Sequence, residues 1–171
     1  MSTDGRRVRA WLVVLAASLL VSGCAVQRIE NGVYHSSKGY RVAIPTAEWT
    51  LVDAGPADLT LRHHGSSAGM AVNAVCEGAA PRRAADVLAR QLHIGLRDRL
   101  TIERATTEVA GRPASRVVAE GRLEDSAKVR IESLSMTDER CLYDFLYVAP
   151  PAAFDAARAD FATFVGSFQR E

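Results

Sequence analysis

Alternating apolar and polar residues predict several short strands in the first half of the chain. Brief alternations occur over residues 40–44 and 49–52, and Pro45 ends the first of them. The alternation is clearer over residues 58–63 and 69–76, which are separated by a turn rich in Gly and Ser. These last two segments predict a β-hairpin.

The period changes from two to 3.6 residues between positions 81 and 99. Val87, Leu88, Leu92 and Leu96 fall on one stripe, and arginines surround it. Pro81 suits the first turn of a helix. The pattern predicts a first long helix over 81–99.

Four further alternating segments predict an antiparallel meander over residues 100–109, 114–123, 128–137 and 140–149. The turns between them are too short for parallel crossovers. Because residues 141–148 are apolar on nearly both faces, we expect this segment to be the central strand.

A closing helix is predicted over 151–168, where Phe154, Phe161, Phe164 and Phe168 recur at helical spacing. An aromatic stripe of this kind is typical of core packing rather than of a cofactor site. The order of elements predicts an α+β domain, with an antiparallel β-sheet flanked by two main helices.

The first 23 residues have the order of an export signal. Arg6, Arg7 and Arg9 precede an apolar segment, 10–21, which is followed by Ser22 and Gly23. Twelve apolar residues fall short of the roughly 20 that a membrane-spanning helix needs. We therefore expect residues 1–23 to be a signal peptide.

Val21-Ser22-Gly23-Cys24 resembles the lipobox of bacterial lipoproteins. The resemblance implies cleavage before Cys24, a diacylglycerol on its thiol and an acyl chain such as palmitate on its amine. Two or three acyl chains hold a domain on a membrane stably. Ala25, where an Asp would imply retention, implies the periplasmic face of the outer membrane, with the inner membrane as the alternative.

Removal of the signal leaves 148 residues, a usual size for one domain. We assign residues 24–32 to a tether and 33–171 to a single domain. Three of the 21 basic and one of the 20 acidic residues lie in the signal, so 18 and 19 remain. This balance, without a basic patch, predicts no nucleic-acid partner.

Lipidation of Cys24 leaves two cysteines, Cys76 and Cys141, on two predicted strands. Outside the inner membrane a disulfide between them would persist. Two separate buried thiols are the alternative. Neither cysteine has a second Cys or a His at metal-ligand spacing, so no metal site is predicted.

Three segments resemble the PsbP-like superfamily, which includes DcrB-like envelope lipoproteins. They are Gly39-Tyr40-Arg41-Val42-Ala43-Ile44-Pro45 with Trp49 beyond it, Gly111-Arg112-Pro113-Ala114, and residues 161–168. Together they span about residues 33–168. The resemblance implies an antiparallel sheet flanked by helices and a non-catalytic role, and it transfers no site residues.

The chain offers few candidates for chemistry. His63 and His64 are adjacent, so in a strand their side chains point to opposite faces and do not suit one metal ion. Ser66 and Ser67 follow them without a nucleophile-elbow motif. The acidic pairs at 124–125 and 138–139 are interpreted as solvated turn charges. No catalytic residue and no cofactor is predicted.

Trp49, Tyr143 and Tyr147 fit a ligand groove or, more simply, the core. The main functional hypothesis is a non-enzymatic envelope lipoprotein that binds another envelope protein. A binding protein for a small apolar or lipidic ligand is the alternative, and an enzyme is the third. An apolar pocket with convergent polar groups would favour the ligand, whereas an exposed apolar patch would favour a partner.

Overall fold

The computed structural model of the protein describes residues 28–53, 55–76 and 95–171. Within these ranges the chain forms two antiparallel sheets, one 3-10 helix (Pro151–Ala156) and one α-helix, α1 (Arg158–Gly166). The strands are β1 (Arg28–Glu30), β2 (Val33–Ser36), β3 (Tyr40–Ala43), β4 (Trp49–Leu51), β5 (Leu59–His63), β6 (Gly69–Val75), β7 (Arg97–Val109), β8 (Arg112–Arg122), β9 (Lys128–Thr137), β10 (Leu142–Ala149) and β11 (Gln169–Arg170).

The larger sheet has seven strands in the order β4-β5-β6-β10-β9-β8-β7. β10 lies at its centre, which confirms the prediction from its two apolar faces. Phe145 of β10 lies opposite Val72 of β6 and Leu134 of β9. The β5–β6 hairpin and the meander from β7 to β10 also form as predicted.

The smaller sheet has four strands in the order β1-β2-β3-β11, so the prediction of a single sheet was wrong. Its first strand, β1, lies within the predicted tether, 24–32, and corrects that boundary. Asn31 and Gly32 both have positive φ, 50° and 75°, and form the two-residue turn that a tight hairpin needs. Both the first described strand and the last strand of the chain belong to this sheet.

Tyr40 connects the smaller sheet to the larger one through a hydrogen bond and ring contacts. Its hydroxyl donates to Asp58 Oδ2 at 2.8 Å, and its ring contacts those of Tyr143 and Phe168. Burial, assisted by the negative charge of Asp58, raises the pKa of Tyr40. Ala74 N–H donates to the same Asp58 oxygen at 2.9 Å, so this carboxylate joins β3 to β6.

The closing helix is divided in two. Residues 151–156 form the 3-10 helix, and α1 begins at Arg158, whereas a continuous helix over 151–168 was predicted. The aromatic stripe is core, as predicted: Phe161 stacks on Tyr147 at 5.4 Å between ring centroids, and Phe168 meets Phe145 at 5.4 Å. The stripe holds α1 across one face of the larger sheet, which we call the helix face.

The prediction of a first helix over residues 81–99 is wrong at its C-terminal end. Residues 97–99 belong to β7, so this end of the helix was wrong. Gly95 has a φ of 103°, a left-handed conformation in which an α-helix cannot continue, and the chain then becomes extended. Residues 81–94 lie outside the described residues. The described residues fit the α+β class, and the prediction of a second main helix concerns residues outside them.

Cys76 and Cys141 form a disulfide across 65 positions of sequence. The bond links the residue after β6 to the residue before β10, two strands that are neighbours in the larger sheet. No helix in the described ranges is both long enough and apolar enough to span a membrane.

Candidate binding groove

A groove of about 460 Å³ lies on the helix face, between α1 and the edge strand β7. Part of its lining is apolar and comes from α1, β7 and β9. The apolar lining residues are Val109, Ala110, Leu134, Phe161, Ala162 and Val165. Its volume lies within the range of small-molecule sites, and it opens to solvent along the edge of the sheet.

A charged cluster forms the base of the groove. Glu132 of β9 is almost completely buried, at 8% side-chain exposure, and accepts hydrogen bonds from Arg116 Nε and from Arg158 Nε, the latter at 2.8 Å. Arg116 also donates through Nη1 to Glu103 of β7. This chain of alternating charges joins α1 to β9, β8 and β7.

The cluster follows from the strand register. Val118 lies opposite Glu132 on one side and Glu103 on the other, which places all three on the helix face. Burial alone would lower the pKa of Arg116, but its hydrogen bonds to Glu132 and Glu103 raise it. Arg116 is therefore charged at every physiological pH, and the carboxylates of the cluster are occupied by guanidinium groups.

Two arginines, Arg158 of the cluster and Arg130, pack against the ring of Phe154 in the 3-10 helix. The guanidinium carbons of Arg130 and Arg158 lie 5.2 Å and 5.7 Å from its ring centroid. At these distances each cation is attracted by the ring face. Arg130 is paired in turn with Glu120. These contacts hold the Arg158 side chain in place at the rim of the groove.

β7 forms the outer rim of the groove and the edge of the larger sheet. Its register with β8 shifts twice, between Arg97 and Leu100 and between Thr101 and Glu103. Leu100 and Ile102 are 63% and 49% exposed, although both are large and apolar. In the described part of the chain β7 pairs only with β8, so its outer side is open.

One polar cleft of about 480 Å³ beside the turn between β5 and β6 is lined by the histidine and serine candidates, His63, His64, Ser66 and Ser67. His63 Nδ1 accepts the N–H of Gly65 at 3.1 Å, and its Nε2 lies 3.3 Å from Glu48 Oε2. Ser66 Oγ accepts the N–H of Ala68. The described residues contain no group of three or more side chains placed to hold a metal ion. The hydrogen bonds of His63 and Ser66 stabilise the turn between β5 and β6.

The three aromatic candidates belong to the core, which was the simpler of the two interpretations. Trp49 Nε1 donates to Asp160 Oδ2 at 2.8 Å, and Tyr147 donates to the carbonyl of Phe154 at 2.8 Å. Burial, aided by nearby carboxylates, raises the pKa of Tyr147 to about 12. Tyr143 is also fully buried. Cys24 and the signal peptide lie outside the described residues.

Arg116, Glu132 and Arg158 were not found from the sequence. In an alternating strand a charged residue is expected to face solvent, and Arg158 lies at the start of the final α-helix. The available signal was Glu132 itself, a carboxylate between Ile131 and Leu134 in a strand that is buried along most of its length.

A scan of protein-family models gives no match to this sequence, and no curated protein matches it. Solved structures do resemble it. The cyanobacterial PsbP protein CyanoP from Synechocystis sp. PCC 6803 superimposes with a TM-score of 0.58 at 16% identity, over 88% of this chain and 99% of its own. The fold is PsbP-like.

Two other bacterial structures share the PsbP-like fold. LpqN of Mycobacterium tuberculosis, described as involved in cell envelope biogenesis, has a TM-score of 0.58 at 7% identity, over 79% of this chain and 86% of its own. A Pseudomonas aeruginosa protein of unknown function, described as a putative regulator, has a TM-score of 0.53 at 14% identity, over 81% and 96%. At these identities the likeness concerns the fold alone.

Proposed function

We propose that this protein is a non-enzymatic accessory component of the bacterial envelope that acts by binding another protein. The groove beside β7 carries the proposal, because it opens along an edge strand on which the large apolar residues Leu100 and Ile102 are exposed, and an exposed apolar surface favours a protein partner. Both oxygens of Glu132 accept hydrogen bonds from arginines, so this buried carboxylate is held in ion pairs that fix the base of the groove. A groove of this kind suits the binding of another protein.

The proposal places the domain on the periplasmic face of the outer membrane. Residues 1–23 would be removed on export, and the lipid on Cys24 would anchor the rest. A PsbP-like fold in an envelope biogenesis protein, LpqN, is compatible with this location. From Cys24 to β1 only residues 25–27 intervene, so the smaller sheet would lie close to the lipid surface.

Replacement of Cys24 by Ala tests the anchor. We expect the variant to leave the membrane fraction or to keep its signal peptide, because the acyl chains have no attachment point. Membrane fractionation with labelled fatty acid measures both outcomes. The matched control is the Cys76→Ser/Cys141→Ser variant, which loses two other cysteines and should stay membrane-bound. Normal labelling and fractionation of Cys24→Ala would contradict the proposal.

Site-specific crosslinking in the native envelope tests the partner. A photo-reactive residue at Ala162, on the rim of the groove, should capture one defined protein. The same residue at Glu124, which lies in the exposed turn between β8 and β9 and does not line the groove, should not. If both positions capture the same set of proteins, or neither captures any, the groove is not a protein-binding site.

A small apolar or lipidic ligand is the second candidate, favoured by the apolar residues that line the groove beside its charged cluster. Binding of dodecanoate to the purified protein, lost on replacing Val165 with Glu, would support it. Capture of a protein at Ala162, without dodecanoate binding, would reject it.

A further inference from the structure

The outer side of β7 is the longer of the two edges of the seven-stranded sheet. β7 has 13 residues, whereas β4 at the other edge has three. About half of the peptide groups in an edge strand point away from their only neighbour. Residues 102–106 are all exposed. This edge can therefore form backbone hydrogen bonds with another strand.

Only part of this edge is regular. Both register shifts with β8 lie before Glu103, and from there to Val109 the pairing is continuous. Bulges protect an edge from pairing because they twist its backbone. The seven residues 103–109 have no such protection, and they are also the part of β7 that borders the groove.

Two charges on this regular segment are unpaired. Arg104 and Glu108 lie four residues apart along a regular strand, so both side chains project from the same face of β7. Across β8 their neighbours are Val117 and Pro113, which are neutral. Neither side chain makes a hydrogen bond or ion pair within the described parts of the chain. Thr106 lies midway between them.

These charges complement a second copy of the same strand. Two antiparallel copies related by a two-fold axis pair residues at equal distances from the axis. With the axis at Thr106, Arg104 of each copy lies opposite Glu108 of the other. An axis at Glu103, Arg104 or Glu108 places like charges opposite each other, and an axis at Ala105 or Thr107 pairs no opposite charges. The register centred on Thr106 is the favourable one.

We propose that the protein forms a two-fold symmetric dimer through β7, with residues 103–109 of two copies paired antiparallel about Thr106. The two larger sheets then become one continuous sheet. Because the axis is perpendicular to the sheet, the helix faces of both copies lie on the same side. Each groove, which borders β7, then has the second copy along its open edge.

A single cysteine at the axis tests this dimer. In full-length Thr106→Cys, the two introduced thiols face each other at the Cα spacing of a paired strand, about 4.5–5.5 Å, which a disulfide can bridge. Mild oxidation of the purified protein should give a covalent dimer on a non-reducing gel. The matched control is Thr101→Cys, because its two copies would lie about 33 Å apart.

We expect Thr106→Cys to crosslink at least about tenfold faster than Thr101→Cys, since pairing holds the thiols at a millimolar effective concentration. Arg104→Glu should abolish this excess, and Arg104→Glu with Glu108→Arg should restore it. Equal crosslinking rates of the two cysteine variants overturn the proposal. An excess for Thr106→Cys that persists when Arg104 is replaced by Glu overturns it as well. Thr101→Cys carries the same Cys24 as Thr106→Cys, so the difference between the two variants reports on the introduced thiol alone, and it needs no envelope partner.

Discussion

The carboxylate of Asp138 joins the turn before β10 to the last strand of the chain. It accepts the N–H groups of Arg140 and Cys141 at 2.7 Å each, the hydroxyl of Tyr143 at 3.2 Å and Arg170 Nη1 at 2.7 Å. Burial alone would raise the pKa of Asp138, but these donors outweigh it and lower the pKa to about 2.

Replacement of Asp138 by Asn should therefore lower the free energy of unfolding by an amount that depends on pH. The folded pKa is below the unfolded value, so the carboxylate stabilises the fold fully above about pH 4, and this contribution is lost as pH falls from about 4 to 2. We expect Asp138→Asn to reduce the free energy of unfolding by about 2 kcal/mol at pH 6 and by much less at pH 2. Urea titrations at both pH values measure the difference, and an equal loss at both would contradict it. Glu124→Gln, in an exposed turn, is the control.

Asp138 was predicted to be a solvated turn charge, and this was wrong. Its neighbour Glu139 is exposed as expected, at 70% of its side chain, whereas Asp138 is 1% exposed. Arg170 Nη1 lies near both carboxylates, 2.7 Å from Asp138 and 3.3 Å from Glu139, so it does not distinguish them. Asp138 differs because it also accepts the N–H groups of Arg140 and Cys141 and the hydroxyl of the buried Tyr143.

Among the elements, β8 approaches β7 closely at Gly121. A Cβ atom there would lie 2.9 Å from the Arg97 carbonyl oxygen and 3.1 Å from Leu96 Cβ. The first register shift of β7 lies beside this point. A glycine at this position is therefore required by the bulge, where the strand backbones approach too closely for a side chain.

Gly121→Ala should loosen the start of β7. We expect a loss of about 1–3 kcal/mol in unfolding free energy, because the backbone must move to admit the methyl group. Faster amide hydrogen exchange in residues 97–101 would identify the loosened segment. Gly166→Ala is the control, since a Cβ there meets no atom within 4 Å. Unchanged exchange in residues 97–101 would count against this account of Gly121.

Most strands were predicted from the sequence, including the short β3 and β4, whereas β1, β2 and β11 were not. The alternation in β8 and β9 covers ten or more residues, so their existence follows from sequence alone. β1 and β11 have three and two residues, which is too few to show a period. Asn31 followed by Gly32 was the available signal for the first hairpin. The groove depends on where α1 packs, which no local pattern specifies.

For the whole molecule, the disulfide closes a loop of 65 residues. It ties β6 to β10, and therefore the first half of the sheet to the meander. In the chain-entropy description, a loop of this length stabilises the folded state by about 4 kcal/mol, since it restricts the unfolded chain. The loop includes residues 77–94, which lie outside the described part.

Reduction of the disulfide should lower the unfolding free energy by about that amount, about 4 kcal/mol. Denaturant titrations with and without a reducing agent measure the change. The Cys76→Ser/Cys141→Ser variant should match the reduced protein and should not respond to the reducing agent. A wild-type midpoint that is the same in both conditions would show that the bond contributes nothing to stability.

Because β1 and β11 belong to the same smaller sheet, the start of β1 and the end of β11 lie close together. Three strand spacings, about 14 Å, separate the two strands, a distance that a linker of about five residues spans. The turn between β8 and β9 is exposed over residues 124–127. A circularly permuted chain opened at this turn, with Glu171 linked to Arg28, keeps every strand pair of both sheets. The order in which the strands are synthesised is thus separable from the architecture that they form.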